Sequence, residues 1–256
     1  MPAPGFDLSG RLALVTGSSR GLGWGFAQAL AEAGASVILH GRDAAALEAR
    51  ARSLAERGTP AAGTLRFDVT DGPAVAKAFA QLREAHGRLD ILVNNAGTTV
   101  RKPVLETTDD DWQRVIDADL TACFRLSREA LRLMVPQRRG RIIMISSIMG
   151  HLARPTIPAY IAAKTGLHGL VRALAVEFAK HGITVNAIAP GYFPTEANQP
   201  VRDDPTLNDW VVSSTPMGRW GEPAELGGAV VFLAGEASSY VTGTVITVDG
   251  GFTASL

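Results

Sequence analysis

The chain of 256 residues contains one cysteine, Cys123, so an internal disulfide framework is excluded. Cys123 lies in an apolar helical stretch, where we expect it to pack and not to react. Neither charge sign is in excess, because acidic and basic residues number 25 each and no basic stripe or charged tail occurs. Composition therefore gives no reason to expect a nucleic acid or an anionic membrane as partner.

No apolar run approaches the ~20 residues that a bilayer-crossing helix needs. The segment from Met1 to Gly10 also lacks the basic start and apolar centre of a signal peptide. We therefore expect a soluble, cytoplasmic protein. The five histidines show no H-x-x-x-H or cysteine-linked spacing, so no metal site is expected.

Seven short apolar runs alternate with helical patterns along the chain. They are nearly continuous in hydrophobicity, which is typical of parallel strands covered by helices on both faces. The alternation predicts an α/β fold with a doubly wound, Rossmann-type parallel sheet, as a single domain over residues 1–256. The predicted strands are Leu12–Thr16, Val37–His40, Leu65–Val69, Ile91–Asn95, Ile142–Ser146, Thr184–Ala189 and Val245–Val248.

Helical spacing of apolar residues predicts a helix from Ala159 to Lys180 that ends at His181-Gly182. The stretch 191–221 departs from this regularity, because four prolines interrupt it: Pro194, Pro200, Pro205 and Pro216. A long segment without regular structure is usually functional. We expect it to form a lid over the substrate, and the alternative is an irregular surface excursion.

A glycine-rich run, T-G-S-S-R-G-L-G from Thr16 to Gly23, follows the first predicted strand. Without Cβ atoms at Gly17, Gly21 and Gly23, backbone N–H groups and a helix N-terminus can approach a pyrophosphate. The spacing differs from the general G-x-G-x-x-G fingerprint, and its position after the first strand favours a nucleotide site over a tight turn.

The end of the second strand indicates which nicotinamide cofactor is used. NAD enzymes commonly carry an acidic residue there, and NADP enzymes carry a nearby arginine. This chain has Gly41-Arg42 at that end, and Arg20 adds a second cation in the glycine-rich loop. We therefore expect NADPH over NADH. The alternative is that Arg42 is a solvated residue at a helix start beside Asp43.

Tyr160 and Lys164 form a Y-x-x-x-K pair, and Ser147 lies thirteen residues before the tyrosine. Four residues apart on a helix, the two side chains share one face, so the ammonium can favour the phenolate. Such a phenol can exchange a proton near neutral pH. The alternative interpretation of Ser147 is a capping hydroxyl after the fifth strand, a role that Ser146 fits better.

These motifs, with N-N-A-G at Asn94–Gly97, Asp68 and Pro190-Gly191, resemble the short-chain dehydrogenase/reductase family from about residue 10 to residue 251. The resemblance implies hydride transfer between a nicotinamide cofactor and a carbonyl or secondary alcohol. Tyr160 would be the acid or base, Lys164 would also bind the nicotinamide ribose, and Ser147 would orient the substrate oxygen. The implied cofactor-binding residues are Gly17, Ser19, Arg20, Gly21, Leu22, Gly23, Arg42, Asp68, Val69, Asn95, Ala96, Gly97, Tyr160, Lys164, Pro190, Gly191 and Thr195.

Asp119 stands where the family usually carries an asparagine of the catalytic set. The resemblance implies that its backbone carbonyl would hold a proton-relay water, while its carboxylate would add negative charge near Lys164. The resemblance also implies a homotetramer joined through the fifth and sixth helices. Gly166, Gly169 and Ala173 would permit close contact there, and the alternative is packing on the chain's own sheet.

The last third, including Asn186–Glu196 and Val248–Gly251, resembles the gluconate 5-dehydrogenases of that family. This similarity implies a small-molecule sugar-acid substrate such as gluconate or 5-ketogluconate. Arg101 follows the N-N-A-G motif and Arg154 lies between Ser147 and Tyr160, so either could bind its carboxylate, and the alternative is that these cations serve salt links or solvent. Lys102 is the weaker candidate. Ile148-Met149 after Ser147 favours the alternative, a reductase of less polar ketones or 3-oxoacyl substrates. A catalytically silent nucleotide-sensing scaffold is the non-enzymatic alternative.

Overall fold

A computed structural model describes residues 5–255 and contains one sheet of seven parallel strands in the order β3-β2-β1-β4-β5-β6-β7. The order reverses between β1 and β4, and in such sheets ligands bind beyond the carboxyl ends of the strands at that point. The doubly wound fold predicted from the sequence is confirmed. The strands are β1 Leu12–Val15, β2 Ser36–Gly41, β3 Gly63–Arg66, β4 Ile91–Asn94, β5 Gly140–Ile145, β6 Ile183–Pro190 and β7 Val245–Val248.

Helices cover both faces of the sheet and enclose two apolar cores. The first core packs α3, α5 and α6 on one face, and the second packs α1, α2 and α9 on the other. A π-helical turn, Asp117–Thr121, joins α4 to α5. The helices are α1 Gly21–Glu32, α2 Ala44–Glu56, α3 Gly72–His86, α4 Asp109–Ile116, α5 Ala122–Gln137, α6 Pro158–Phe178, α7 Gln199–Asp203, α8 Pro205–Ser214 and α9 Gly227–Ala234.

All seven predicted strands are present, but two of them are not buried as expected. In β3 every second residue is exposed, and Thr247 of β7 is exposed as well. Both are edge strands, which have a sheet neighbour on one side only. The strand predicted at Leu65–Val69 also begins earlier, at Gly63, and ends at Arg66.

The expectation of an irregular segment over residues 191–221 was wrong, because two helices lie within it. Pro200 and Pro205 stand in the first turns of α7 and α8, where a missing N–H leaves no helical hydrogen bond unmade. Asp204 caps α8 by accepting from the backbone N–H groups of Thr206 and Leu207. The prolines therefore start helices in this segment.

The predicted long helix is α6, which ends at Phe178. A 3-10 turn, Ala179–His181, follows it, and Gly182 then takes the left-handed conformation that ends the helical segment.

Cys123 is buried in α5, and burial raises the pKa of its thiol to about 12, so the thiol stays neutral. Among residues 5–255, none of the helices combines the length and the apolar character needed to cross a bilayer. Residues 1–4 and 256 of the predicted single domain lie outside the described residues.

Candidate active site

The glycine-rich loop forms an open cradle at the start of α1. Gly17 and Gly21 have positive φ angles of 65° and 54°. A Cβ atom at Gly23 would lie 2.3 Å from the carbonyl oxygen of Gly17, so a side chain there would displace the loop. No side chain caps the N-terminus of α1, which leaves its first N–H groups available to an anion. These residues fit the diphosphate of a dinucleotide.

The N-N-A-G segment after β4 fixes this cradle. The backbone N–H groups of Asn95 and Ala96 both donate to Thr16 Oγ1, at 2.9 and 3.0 Å. The amide of Asn95 donates to the carbonyl oxygens of Thr16 at 2.9 Å and Gly17 at 3.3 Å. The loops that follow β1 and β4 are thereby joined across the point where the strand order reverses.

His40 supports the same loop, and the sequence did not reveal this role. Its Nδ1 accepts from the backbone N–H of Gly17 at 3.0 Å, so the ring proton lies on Nε2, which donates to the carbonyl oxygen of Phe67 at 3.2 Å. Burial lowers the pKa of His40 to about 4, so the ring remains neutral. A histidine within an otherwise apolar buried strand is the signal that could have identified it.

Two arginines face solvent beside the cradle. Arg42 lies 3.4 Å from a carboxylate oxygen of Asp68, and Arg20 lies 2.7 Å from one of Glu196. Hydrogen bonds from Thr70, together with Arg42, keep the pKa of Asp68 below its usual value. Surface ion pairs of this kind contribute roughly 0–1 kcal/mol, so both guanidinium groups can exchange their partners for a phosphate.

The other predicted cofactor residues lie around the same edge of the sheet. Ser19 belongs to the loop after β1, Leu22 lies in the first turn of α1, and Val69 follows β3. Pro190 ends β6, and Gly191 and Thr195 follow it. The fold therefore gathers residues from distant parts of the sequence at one edge of the sheet.

Tyr160 and Lys164 lie one turn apart near the start of α6. The Lys164 ammonium donates to the carbonyl oxygen of Ile145 at 3.0 Å and lies 5.4 Å from the centre of the Tyr160 ring. Lys164 is buried, whereas Tyr160 is partly exposed. The lysine thus fixes the end of β5 to the helix that carries the phenol.

Ser147 begins the 3-10 turn Ile148–Gly150, and its Oγ accepts from the backbone N–H of Met149 at 3.1 Å. The expectation that Ser146 would fit the capping role better was wrong, because Ser146 Oγ instead lies 2.8 Å from Nε2 of the buried His168. Capping uses a lone pair of Ser147, so its O–H proton remains available to a substrate oxygen.

Asp119 lies in the π-helical turn and is 1% exposed. One carboxylate oxygen accepts from the backbone N–H of Thr98 at 2.7 Å, and the other lies 3.0 Å from the Lys164 ammonium. Burial by itself lowers the pKa of Lys164, but the Asp119 carboxylate outweighs that effect and the pKa is raised. The two groups therefore form a buried ion pair beneath Tyr160.

The three cations predicted near the substrate divide into two groups. Arg154 donates to the hydroxyl of Tyr192 at 3.3 Å. Arg101 retains exposed surface, but partial desolvation and the neighbouring charge of Arg154 lower its pKa. Lys102 is instead held 2.5 Å from a carboxylate oxygen of Asp111. Arg101 and Arg154 therefore form the cationic pair, and Tyr192 is a participant that the sequence did not reveal.

An aromatic cluster connects the segment 191–221 to this region. The ring centre of Tyr192 lies 5.3 Å from that of Phe252, 5.6 Å from Trp220 and 6.0 Å from Trp210. Ile148 and Met149 belong to the same apolar group and are nearly fully buried. Their hydrophobic character therefore serves packing beneath this segment.

Comparison with known proteins finds a matching family model and similar oxidoreductases along nearly the whole chain. Residues 17–253 match the family model described as enoyl-(acyl carrier protein) reductase. The chain is 43% identical over 251 residues to gluconate 5-dehydrogenase of Gluconobacter oxydans, covering 98% of each chain. It is 39% identical over 246 residues to 5-keto-D-gluconate 5-reductase of Escherichia coli, covering 96% of each. The crystal structure of a gluconate 5-dehydrogenase from Burkholderia cenocepacia in complex with NADP and tartrate has 40% identity, 98% coverage of both chains and a TM-score of 0.95.

Proposed function

We propose that this chain, which belongs to the short-chain dehydrogenase/reductase family, interconverts a sugar acid and its keto acid with NADP(H). Gluconate and 5-ketogluconate are such a pair. The family and its similar relatives make the chain an oxidoreductase that acts on CH–OH groups. The proposed substrate rests mainly on the cationic pair Arg101 and Arg154 close to Tyr160, because a cationic pair can bind the carboxylate of a sugar acid. The related enzymes act on gluconate or 5-ketogluconate, as their names state.

The proposed reaction uses three side chains of this chain. When bound, NADPH supplies the hydride for the carbonyl carbon. Tyr160 donates its phenolic proton to the carbonyl oxygen, and Ser147 donates a hydrogen bond to the same oxygen. Lys164 stabilises the phenolate left on Tyr160 through its nearby positive charge. In the direction of alcohol oxidation, the Tyr160 phenolate accepts the proton.

The choice of NADP(H) is supported by the absence of a carboxylate at the end of β2 and by the two exposed arginines, Arg20 and Arg42. Either guanidinium can form charge-assisted hydrogen bonds with a ribose 2′-phosphate. The related Burkholderia enzyme was crystallised with NADP.

The carboxylate-binding role is tested by Arg154→Ala and Arg101→Ala. Each change should raise KM for 5-ketogluconate by roughly ten- to a hundredfold, because a charge-assisted hydrogen bond contributes about 1.5–3 kcal/mol. Steady-state kinetics with NADPH should show a much smaller effect on an uncharged ketone of similar size.

Lys102→Ala is the matched control, because this neighbouring cation is already held by Asp111. It should leave KM for 5-ketogluconate within a few-fold of the wild type. Equal losses on the charged and uncharged ketones, or activity with apolar ketones only, would instead support a reductase of less polar substrates.

We also propose that the segment 191–221 acts as the substrate lid. The support is positional: α7 and α8 lie in it, and Val201 and Val211 of these helices belong to the apolar group that includes Ile148 and Met149 beside Ser147. Tyr192 of the same segment contacts Arg154. Closure over the substrate would exclude water from the proton transfer.

The homotetramer expected from the sequence remains a proposal, supported by an apolar surface between α5 and α6. Phe124 is 43% exposed and lines a groove of about 540 Å³, and Val176 of α6 is 83% exposed. Gly169 and Ala173 are not buried on the same helix as Val176. Gly166 instead faces Leu120 of its own chain, where a Cβ would come within 3.0 Å, so it serves internal packing.

Val176→Glu should reduce the assembly from tetramers to smaller species, because a carboxylate would be buried without a partner at the contact. Sedimentation velocity at micromolar concentration measures the change. Ala76→Glu, on the exposed side of α3, is the control and should remain tetrameric. A wild-type protein that sediments as a monomer would refute this assembly.

A further inference from the structure

The buried contact between Asp119 and Lys164 suggests a function beyond the family's usual asparagine. The carboxylate is held from two sides, by the backbone N–H of Thr98 at 2.7 Å and by the Lys164 ammonium at 3.0 Å. Cys123 Sγ donates to the backbone carbonyl oxygen of Asp119 at 3.4 Å. A Cβ at Gly97 would lie 2.8 Å from the carboxylate, so only glycine leaves space for it. These contacts place a buried carboxylate beside Lys164.

Lys164 has three N–H donors, and two directions are already taken. One bond reaches the carbonyl oxygen of Ile145 at 3.0 Å, and the Asp119 carboxylate lies at the same distance in a second direction. Both contacts keep the ammonium at the base of the site, 5.4 Å from the centre of the Tyr160 ring. Asp119 therefore helps to fix the position of Lys164.

The carboxylate also changes the charge that Tyr160 experiences. A lone ammonium beside a phenol favours the phenolate, whereas an adjacent carboxylate offsets part of that effect because the pair is formally neutral. Burial makes the offset large, since little water screens either group. With a neutral side chain at position 119, the protonated form of Lys164 would act on the phenol without an offsetting anion.

The remaining titratable or charged groups around Tyr160 do not duplicate this effect. Cys123 of α5 is a neutral thiol, and burial keeps the pKa of His168 of α6 below its usual value. Asp111 of α4 is occupied by Lys102 and Arg114. The other titratable or charged groups of the neighbouring segments are not carboxylates: Arg101, His151, Arg154 and Tyr192. Asp119 is the anion of this set that contacts Lys164.

We propose that Asp119 is a positioning residue that holds Lys164 and partly neutralises its charge, so that Tyr160 remains a proton donor to more alkaline pH than an uncharged residue would allow. This inference rests on the proposed function, because it assigns Tyr160 as the acid of ketone reduction. It predicts an enzyme whose reductive reaction persists at alkaline pH.

Asp119→Asn tests the inference, because the amide oxygen can still accept from Thr98 while the negative charge is lost. Removing an anion favours the phenolate, so Tyr160 should ionise at lower pH. The alkaline fall of kcat/KM for ketone reduction should move to lower pH by about one unit, and the acidic rise for alcohol oxidation should move the same way. Lower rates with an unmoved pH profile would show a structural role only and overturn the proposal.

Asp111→Asn is the matched control, because it neutralises a nearby carboxylate that does not contact Lys164, and its pH profile should remain that of the wild type.

A second measurement does not depend on turnover. The ultraviolet absorbance of phenolate is followed against pH in the wild type and in Asp119→Asn, and the same titration with Tyr160→Phe added to each identifies the contribution of Tyr160. If Tyr160 ionises at lower pH in Asp119→Asn but the protein reduces no carbonyl compound, the proposed function is wrong and the role of Asp119 stands. If the two titrations coincide in an active enzyme, only the role of Asp119 is wrong.

Discussion

Replacing Tyr160 by Phe is expected to lower kcat for ketone reduction by at least ~100-fold, because the change removes the proton donor and little volume. Affinity for NADPH should change little, since the cradle at Gly17 and Gly23 and the ammonium of Lys164 remain in place. The measurements are single-turnover reduction of 5-ketogluconate and the fluorescence titration of bound NADPH.

Tyr240→Phe makes the same chemical change at a fully exposed position and is the matched control, with kcat expected to equal that of the wild type. Turnover by Tyr160→Phe within a few-fold of the wild type would rule out this phenol as the acid. A similar loss in both variants would indicate a general effect on the protein.

The second large effect is expected in cofactor preference, from Gly41→Asp combined with Arg42→Ala. The double change should shift the ratio of kcat/KM for NADPH and NADH towards NADH by roughly a hundredfold. Arg42→Ala removes a charge-assisted bond to the 2′-phosphate, and the new carboxylate can accept from the ribose 2′-OH. A Cβ at Gly41 would lie 3.2 Å from Ser19 Oγ and 3.3 Å from Ser19 Cβ, so Ser19 must move by a few tenths of an ångström to admit the new side chain.

Arg57→Ala removes another exposed arginine, at the opposite end of α2, and should leave the cofactor preference unchanged.

Arg20→Ala should weaken the binding of NADPH without affecting that of NADH, if Arg20 contacts the 2′-phosphate together with Arg42. A wild-type protein that prefers NADH, or an unchanged ratio in the double variant, would exclude the assigned role of Arg42.

Local patterns were sufficient for the fold class and for the Tyr160 and Lys164 pair. Helical periodicity alone places these two side chains one turn apart, and apolar runs followed by a glycine-rich turn indicate a parallel sheet with a nucleotide loop. The four prolines did not indicate α7 and α8, because proline breaks a helix interior but is compatible with the backbone in the first turn of a helix.

The seven strands, the glycine cradle and the Tyr160 helix can be predicted from local sequence, because each depends on residues that are neighbours in the chain. Which distant residues meet depends on how these elements pack. His40 reaches back 23 residues to Gly17, and Arg154 contacts Tyr192 38 residues later. The Asp119 carboxylate meets Lys164 only because a π-helical turn and α6 pack together at the end of β5. Such contacts follow from strand order and helix packing, which no local pattern of residues specifies.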